Sequence, residues 1–525
     1  MGRKVLAWIE DRTGAQSAVG HFLNEDIPAS SGWHQVFGSM ALFMFLVQAF
    51  TGIMLALNYA PTTSEAHGSL RYILTELTAG RLMRGLHHWG ASMMIVIVVL
   101  HMLQVFIWGA YKKPREATWM LGILLLLLTL GFGLTGYLLP WDNRAYWGTV
   151  VTTQIAAKAP GAGPYILTLL GSTDGQIGAV TFARFYGAHV LILPAITALL
   201  IFLHVYLVRR HGVAPAPVET APPVKFYPRQ VFKDTVAIFI MFAILFVLAV
   251  AVRVPLGKLA DPTDLTYIPR PEWYFLFLFQ ILKYFEGPLE IIGSMVLPGL
   301  AVALLFITPF LDRGAATRIR QRTGAIGVVV LALIGWGGLT AAALSSTPYR
   351  APWQSFTPEE MTAVGNFRKA NCWQCHATSP GEQRQGPNLA DIAVLRDRDW
   401  LIKHFKETSG AAGKGIRDLQ WRQLANFLPK LDDENVESLH AIPQNLVNGA
   451  MVYQQNNCGV CHQVNGAGMK TGPPLNGIAK RTDPKWLEEH FLDPESKSPG
   501  TSMPAYKFSP PDMKNIVDYM MSLTD

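Results

Sequence analysis

The chain has 525 residues, half of them apolar and 15% charged, so it is too long for one ordinary soluble domain and too apolar for a disordered protein. Residues 1–350 carry 26 Lys and Arg against 17 Asp and Glu, whereas residues 351–525 carry 18 against 20 in half the length. This contrast predicts a membrane part followed by a water-soluble part. It argues against a nucleic-acid binder, whose basic residues would cluster on a soluble face.

Residues 1–31 are polar and mixed in charge, so we expect no cleavable signal peptide there. The hydrophobic segments follow this N-terminal stretch. Seven stretches are long and apolar enough to cross a hydrocarbon core, which takes about 20 helical residues. In chain order, these predicted spans are 36–57, 89–111, 117–139, 185–208, 235–252, 291–311 and 324–345. An apolar run at 273–282 is too short to span.

The segments that connect the spans alternate in their content of Lys and Arg. Basic residues concentrate before the first span and after the second, fourth and sixth. Cytoplasmic loops carry this excess, so we expect a cytoplasmic N-terminus. The residues after 346 are then expected on the outer, periplasmic side of a bacterial cytoplasmic membrane.

Histidines lie inside two of the predicted spans, where an ionisable side chain is expensive and indicates function. His87 and His101 are fourteen residues apart, and His189 and His204 are fifteen apart. At 100° per residue, each spacing returns to within about 40° or 60° of the same helix face, at two depths. We predict two bis-histidine haem sites, His87 with His189 near the outer surface and His101 with His204 near the inner one. The alternative is that each histidine only hydrogen-bonds a neighbouring helix.

Glycines in the first and third spans repeat the fourteen-residue spacing of the histidines. Gly38 and Gly52 form one pair, and Gly122 and Gly136 form the other. Because glycine permits close backbone approach, these positions are interpreted as points where the helices that do not ligate haem come near it. The alternative is ordinary helix packing, which glycine also serves in membranes.

All four cysteines lie in the soluble half, in two copies of the motif C-x-x-C-H, which is the c-type haem attachment pattern. Cys372, Cys375 and His376 form the first copy of the motif. The second copy, 86 residues later, consists of Cys458, Cys461 and His462. Both copies belong to a longer internal repeat with this offset. We predict two tandem class I cytochrome c domains with covalent haems, in preference to a zinc or dithiol motif, which does not require the following histidine.

The sixth iron ligand distinguishes the two predicted c domains. In the second, Met503 lies downstream of His462 where an axial methionine is expected. In the first, no methionine lies between residues 376 and 451, and matching the Leu-Pro at Leu428 to the Met-Pro at Met503 puts leucine at the ligand position. His404, His440 and an open five-coordinate iron all remain possible at the first haem. Loss of the thioether is expected to lower its potential.

Several sequence blocks resemble cytochrome b of the quinol-oxidising bc1 and b6f complexes, over about residues 20–345. These blocks are Arg84–Met94, Lys112–Trp119, Gly136–Asp142, Ala183–His189 and the P-E-W-Y motif at Pro271–Tyr274. The residues of these blocks and the seven spans resemble the b6 protein plus its subunit IV, here joined into one chain.

The fold class expected from this resemblance and from the spans is all-α, with a seven-helix transmembrane bundle followed by two soluble cytochrome c domains. The bundle comprises a four-helix haem b core plus three helices. The expected divisions are a cytoplasmic segment 1–32, the b6-like domain 33–211, a linker 212–232, the subunit IV-like domain 233–350, and c domains at 351–440 and 441–525.

Two departures from the b6 pattern bear on cofactors. The position that holds an extra covalent haem in b6 proteins is Val36 here, so we expect no covalent third haem. The block at Phe226–Asp234 looks more like the bc1 pattern, whose Lys and Asp line an inner quinone site. The resemblance thus gives Lys233 and Asp234 that role, although both could simply be interfacial charges that anchor the fifth span.

At the outer side, the resemblance makes Pro271, Glu272, Trp273 and Tyr274 a quinol site, with Glu272 and Tyr274 catalytic. Oxidation of a quinol releases two protons, and a carboxylate near its hydroxyl can accept one. The alternative for Glu272 is an interfacial cap on the short apolar segment that follows.

Two arginines lie next to the outer haem histidines in the sequence. Arg84 and Arg184 are candidate partners for the haem propionates. Arginines that only extend their charged ends to the membrane surface would have the same pattern.

The resemblance implies a quinol:acceptor oxidoreductase that translocates protons. One electron would reach the c haems through an iron–sulfur partner, and the other would pass through the two b haems to a quinone. Since all four cysteines are assigned to haem, a separate Rieske protein is required, and a homodimeric complex in membrane lipid is expected by analogy. The rivals are a transmembrane electron conduit without bifurcation and a gas sensor at an open first c haem.

Overall fold

The computed structural model describes residues 2–172, 176–214, 222–262, 267, 269–314, 317, 319–346, 351–378, 384–387, 389, 398–431, 436 and 438–524. Part of the predicted linker, 215–221, and the predicted boundary at 350 lie outside the described residues. The described chain is dominated by helices. Its paired strands β1 (Asp26–Ile27) and β2 (Val224–Lys225) are antiparallel, with Asp26 opposite Lys225.

The helices of the first part of the chain include the seven candidate membrane spans. In chain order, the helices are α1 (Gly2–Thr13), α2 (Ala15–Leu23), α3 (Phe37–Ala56), α4 (Ala66–Thr75), α5 (Gly80–Ile107), α6 (Glu116–Tyr137), α7 (Asn143–Ala157), α8 (Gly163–Leu170), α9 (Ala179–Gly187), α10 (Leu193–His211), α11 (Arg229–Ala251), α12 (Leu276–Tyr284), α13 (Leu297–Leu311) and α14 (Thr323–Ser345). A π-helix, Ala188–Ile192, joins α9 to α10, and another, Ile292–Val296, precedes α13.

The helices of the second part are shorter and more polar. They are α15 (Pro358–Lys369), α16 (Arg398–Thr408), α17 (Asp418–Phe427), α18 (Gln444–Gln455), α19 (Pro484–Leu492), α20 (Pro494–Lys497) and α21 (Pro510–Met521). Side-chain caps define several of their N-termini. At α15, for example, Thr357 accepts a hydrogen bond from the Glu360 amide, and the Glu360 carboxylate accepts one from the Thr357 amide.

Seven helices in the described chain are long and apolar enough to cross a membrane, as predicted. The second span starts at Gly80 and not at 89, and the fourth runs from Ala179 to His211. The extension of the second span back to Gly80 contains Arg81 and Arg84, whose charge lowers the hydropathy of this segment. Arg84 is buried inside α5, where its guanidinium donates to the carbonyl of Val254 at 3.0 Å, so a tertiary contact satisfies a charge that hydropathy penalises.

The chain divides into two compact units. The first comprises Met1–Pro140, Gly148–Val254 and Arg270–Ser346. Within it, α3 packs on α5, α6 packs on α10, and α11 lies against α5. Large apolar side chains such as Leu46, Phe202 and Leu331 stay exposed on the spans, as expected for surfaces that face lipid rather than water.

The second unit comprises Trp141–Trp147, Pro255–Pro269 and Thr347–Asp525. Its two C-x-x-C-H regions repeat one arrangement, in which the helix before the motif packs on a helix after it: α15 packs on α17, and α18 packs on α21. The first helices, α15 and α18, also pack on each other, and the buried side chains of both regions form one continuous hydrophobic core. The two repeats therefore form a single packed pair.

Candidate functional site

The outer histidines, His87 on α5 and His189 on the π-helix, face each other. Their ring centroids are 6.3 Å apart, with an angle of 76° between the rings. Each ring also has a threonine partner, since Thr51 Oγ1 lies 3.0 Å from His87 Nδ1 and Thr135 Oγ1 lies 3.0 Å from His189 Nδ1. These contacts engage Nδ1 and leave Nε2 of each ring available to a metal. The sequence analysis did not identify either threonine.

The inner histidines repeat this geometry at a second depth. His101 and His204 have ring centroids 6.4 Å apart and an angle of 77° between the rings. Among the described residues, His101 Nδ1 is a buried nitrogen without a hydrogen-bond partner. The structure thus brings together the two pairs that the spacing predicted, His87 with His189 and His101 with His204.

A π-helix explains why the histidines of the fourth span are fifteen residues apart. The wider turn at Ala188–Ile192 contains His189 and takes up one additional residue. The remaining fourteen steps match the spacing on α5, so His189 and His204 come to one face despite the different count. Spacing alone had placed them about 60° apart.

The four glycines lie directly against the four histidine rings. A Cβ atom added at Gly52 or Gly136 would lie 3.2 Å from Cε1 of His87 or 2.6 Å from Cε1 of His189. The corresponding distances are 3.5 Å from Gly38 to His101 and 3.5 Å from Gly122 to His204. The close approach that was predicted is therefore to the imidazoles themselves.

Both pairs fit a bis-histidine metal centre. Two imidazole–metal bonds of about 2 Å each separate the ligating nitrogens by about 4 Å, and each ring centroid lies roughly 1 Å further back, which gives about 6 Å between centroids. The observed 6.3 Å and 6.4 Å meet this requirement. Glycine at the four facing positions lets the backbones of α3 and α6 lie close to the histidine rings.

The two arginines near the outer pair have different surroundings. Arg84 is buried and donates to Val254 as described above. Arg184 is exposed and donates to the carbonyls of Thr168 and Leu169 at the C-terminal end of α8, the latter at 2.8 Å. Arg184 thus stabilises a helix terminus, and Arg84 is the better placed of the two for a role inside the bundle.

The P-E-W-Y residues border a cavity. Its lining is Gly133, Leu134, Tyr137, Gly148, Thr152, Pro271, Glu272, Tyr274 and Phe275. Tyr274 is buried, and Trp273 donates from Nε1 to Ser92 Oγ at 3.2 Å, so Trp273 points to α5 and is absent from the lining. Tyr137 donates to the carbonyl of Arg270 at 2.9 Å and thereby ties the motif to α6.

Helix α6 connects this cavity to the outer histidine pair. A Cβ at Gly133 would meet the Tyr274 hydroxyl at 2.8 Å, and three residues later Gly136 lies against His189. Three residues correspond to about 4.5 Å of rise on nearly the same helix face. The cavity and the outer pair are therefore neighbours along one helix.

A second polar cluster lies at the inner end of α11. Lys233 donates from Nζ to the carbonyl of Ser31 at 2.8 Å. The buried Asp234 accepts from Ser39 Oγ at 2.9 Å and from Gln230 Nε2 at 2.8 Å. Ser39 follows the glycine that faces His101, so Asp234 belongs to the surroundings of the inner pair.

His34 belongs to the same inner region, and the sequence analysis missed it. Its ring stacks on Trp108 with a centroid distance of 5.1 Å, and it lies within electrostatic reach of Lys233. His34 lies two residues before the predicted first span, and this position could have indicated it. The cost of placing an ionisable side chain in a membrane was considered only for histidines inside the predicted spans.

The two C-x-x-C-H motifs adopt the same backbone conformation. In each, an asparagine with φ of 54°, Asn371 or Asn457, precedes a 3₁₀ turn that begins at the first cysteine. The following histidine pairs through Nδ1 with a proline carbonyl: His376 with Pro387 O at 2.7 Å and His462 with Pro473 O at 2.9 Å. Because Nδ1 is engaged, Nε2 of each histidine is the nitrogen available to iron.

Burial raises the pKa of the first cysteine of each motif, to about 12 for Cys372 and about 11 for Cys458. A thiol of raised pKa holds little thiolate at neutral pH. Space beside the histidines is kept by glycines, since a Cβ at Gly386 or Gly472 would lie 2.6 Å or 2.7 Å from Cε1 of its histidine. The space left by the glycines and the available Nε2 of each histidine fit a planar group that the cysteines attach and the histidine holds.

The sequence match of Leu428 with Met503 is wrong. Met503 lies in the segment between α19 and α21, before the last helix of its repeat. Leu428 lies after α17, the helix of the first repeat that packs on α15, and it is buried in the core. The segment equivalent to that of Met503 is 409–417, which is shorter than 493–509, so the Leu-Pro at Leu428 is not the counterpart of the Met-Pro at Met503.

Comparison with known proteins agrees with this architecture. Sequence models match residues 25–212 for cytochrome b/b6/petB, 259–356 for cytochrome b(C-terminal)/b6/petD and 446–524 for cytochrome c. The cytochrome bc complex cytochrome b subunit of Chlorobaculum thiosulfatiphilum is 34% identical over 340 residues, which are 63% of this chain and 79% of the relative.

Two other similarities extend this result. Cytochrome b6 of Chlamydomonas reinhardtii is 36% identical over 211 residues, covering 40% of this chain and 98% of that protein. A chain of a hyperthermophilic respiratory Complex III superposes with a TM-score of 0.59 at 29% identity, covering 66% of this chain and 92% of that one. The family implies haem b and haem c as cofactors. The chain belongs to the cytochrome b/b6 family of bc-type complexes, and it is a membrane protein that carries a cytochrome c region.

Proposed function

We propose that the chain is the cytochrome b/c fusion subunit of a bc-type quinol:acceptor oxidoreductase. It oxidises quinol at an outer site, delivers electrons to two b haems and, through a separate Rieske protein, to two c haems, and couples this to proton translocation. The observation that carries the proposal is the cavity bordered by Glu272 and Tyr274, which adjoins the His87/His189 pair through α6.

The proposed haem ligands are His87 with His189, His101 with His204, His376, and His462 with Met503, with thioether attachment at Cys372, Cys375, Cys458 and Cys461. Haem at these places supplies reversible one-electron transfer. The protein fixes the ligand rings. Thr51 and Thr135 orient the outer imidazoles, and the proline carbonyls orient His376 and His462.

At the outer site, Glu272 is the proposed proton acceptor. Quinol oxidation removes two electrons and releases two protons, and the carboxylate of Glu272 lines the cavity where a quinol hydroxyl would lie. The Tyr274 hydroxyl, close to Gly133, is a second polar group at this cavity and is proposed to orient the quinol. Pro271 and the tie between Tyr137 and Arg270 fix the motif against α6.

At the inner site, Asp234 and Lys233 are proposed to deliver protons to a quinone that is reduced there. Asp234 is held by Ser39 and Gln230, and Ser39 is adjacent to the glycine that faces His101. A quinone reduced by two electrons takes up two protons, so an inner site with a carboxylate and an ammonium group suits that half of the reaction.

The remaining parts of the proposal concern partners and orientation. The four cysteines are all assigned to haem, so the iron–sulfur cluster belongs to a separate protein. The c region lies on the outer side of the cytoplasmic membrane, the N-terminus is cytoplasmic, and the complex is a homodimer. A soluble or membrane-bound carrier accepts the electrons from the c haems.

The test compares Glu272→Gln with Glu286→Gln in the assembled complex. Glu286 is an exposed carboxylate beyond α12 and outside the cavity lining, so it controls for loss of one charge nearby. We expect Glu272→Gln to lower quinol oxidation about 100-fold or more, the low end of what a positioned general base contributes, and to change its pH profile. Glu286→Gln is expected to leave the rate unchanged. Unimpaired turnover of the Glu272→Gln complex would contradict the site and favour a conduit without bifurcation.

A further inference from the structure

The two c regions differ in the segment that supplies the second axial ligand. In the second region, residues 493–509 connect α19 to the last helix and carry Met503, which packs against the core. In the first, only residues 409–417 connect α16 to α17, and they contain no Met, His or Cys. The shortened segment has no methionine, so a second axial ligand of the first haem would come from another part of this region.

His404 on α16 faces the histidine of the first C-x-x-C-H motif. The ring centroids of His376 and His404 are 6.1 Å apart, with an angle of 71° between the rings. The two paired sites of the membrane bundle show 6.3 Å with 76° and 6.4 Å with 77°. All three pairs therefore share the separation that one metal between two imidazoles requires, about 6 Å.

The surroundings of His404 hold its ring in place. It stacks on Trp400 with a centroid distance of 4.9 Å and an angle of 9°, one turn earlier on α16. Its neighbours Leu401 and Phe405 are buried in the core and fix the face that the helix presents. A ring oriented by stacking on a helix anchored in this way loses little freedom when it binds iron.

Other groups are less suitable. His440 packs on Trp373, at a centroid distance of 4.0 Å, and is exposed. Lys414, the lysine of the shortened segment, is also exposed.

We propose that His404 is the second axial ligand of the first c haem, so that this haem is bis-histidine ligated while the second has His462 and Met503. The inference rests on the covalent haem that the proposed function places at Cys372 and Cys375. Methionine ligation raises the potential of a c haem relative to histidine. The first c haem then has the lower potential, electrons flow from the first region to the second, and they leave from the haem of Met503. With histidine at both axial positions, the first c haem has no open coordination position for a gas.

The experiment uses the full-length protein purified in detergent. Three properties are measured: the number of covalent haems by pyridine haemochrome, carbon monoxide binding to the reduced protein, and the ferric sulfur-to-iron charge-transfer band. The wild type is expected to have two c haems, no carbon monoxide bound at either of them, and one sulfur-ligated iron. His404→Ala is expected to keep two c haems and to bind one carbon monoxide. His404→Met is expected to double the charge-transfer band and raise the potential of one c haem.

His490→Ala is the matched control, because His490 occupies the equivalent repeat position and stacks on Trp486 at 4.7 Å. It is expected to change none of these properties. Carbon monoxide binding at a c haem of the wild type, or no binding by a His404→Ala protein that retains two c haems, would overturn the proposal. If His404→Ala loses a covalent haem, the His404→Met variant becomes the test. A His404→Met protein that has two c haems but a charge-transfer band no stronger than that of the wild type would overturn the proposal. Quinol turnover of Glu272→Gln is independent of these spectra, so the two proposals fail separately.

Discussion

The glycines that face the histidines give a graded prediction for haem binding in the membrane bundle. At Gly136, a Cβ would lie 2.6 Å from Cε1 of His189, whereas ordinary contact begins at 3.4 Å, so Gly136→Ala requires a displacement of 0.8 Å. At Gly122, on the same helix, the distance to Cε1 of His204 is 3.5 Å, and Gly122→Ala requires none. Gly52→Ala, at 3.2 Å from His87, lies between them.

The size of the effect follows from the displacement. A metal constellation tolerates about 0.5 Å of misplacement, and overpacking a tight site costs roughly 1–3 kcal/mol. At 1.4 kcal/mol per tenfold change, Gly136→Ala should weaken haem binding at the outer pair about 5-fold to 150-fold. Gly122→Ala is the matched control, since it makes the same chemical change in α6 beside the inner pair.

The assay is the ratio of b to c haem in purified protein, with a redox titration of the remaining b haem. We expect Gly136→Ala to lose outer b haem or to shift its potential, Gly52→Ala to show a smaller effect, and Gly122→Ala to resemble the wild type. Equal haem content and potentials in Gly136→Ala and Gly122→Ala would refute the reasoning. A larger effect at Gly122 would do the same.

Three further predictions concern the remainder of the chain. Arg322, whose side chain is 3% exposed, donates to Asp312 at 2.7 Å and to the carbonyl of Ile107 at 2.9 Å, so Arg322→Ala should destabilise the protein by roughly 1–3 kcal/mol, measured by thermal unfolding in detergent, and an unchanged melting temperature would contradict this. Partial burial favours the neutral form of Asp312, but hydrogen bonds from Lys112, Tyr111 and Arg322 outweigh it and lower its pKa to about 2. The stability that ionised Asp312 contributes is fully present above the unfolded pKa of about 3.9 and is lost as the pH falls towards 2. The difference in stability between wild type and Asp312→Asn should therefore shrink below about pH 4. A constant difference from pH 6 to pH 3 would argue against this role of Asp312. In haem-free protein, iodoacetamide at pH 8 should label the exposed Cys461 faster than Cys372, whose pKa is about 12, as read by mass spectrometry, and the reverse order would be inconsistent with the burial described.

Much of the bundle could be predicted from the sequence because its constraints are one-dimensional. A span must be about 20 residues long and apolar, and seven such helices are present in the described chain. Two histidines on one helix must also return to one face. The start of α5 at Gly80 could not be predicted in this way, since Arg84 is satisfied by the carbonyl of Val254, a contact 170 residues away in the chain.

The parts of the site that were missed depend on local geometry that a linear count does not contain. The fifteen-residue interval from His189 to His204 became intelligible only with the π-helix. Thr51 and Thr135 precede the glycines that face the outer histidines, but their hydrogen bonds depend on how the helices pack. The error at Leu428 arose because a Leu-Pro dipeptide was matched to the Met-Pro at Met503, although Leu428 follows α17 whereas Met503 precedes α21.

The central claim is that this chain holds four haems, two b and two c, at the histidine and cysteine positions described. A pyridine haemochrome spectrum of the purified chain tests it most directly, because it counts the two haem types separately. We expect a ratio of two b to two c. A single b haem would contradict the paired histidine sites, a third would require an additional haem near Val36, and a single c haem would contradict a redox role for one C-x-x-C-H region.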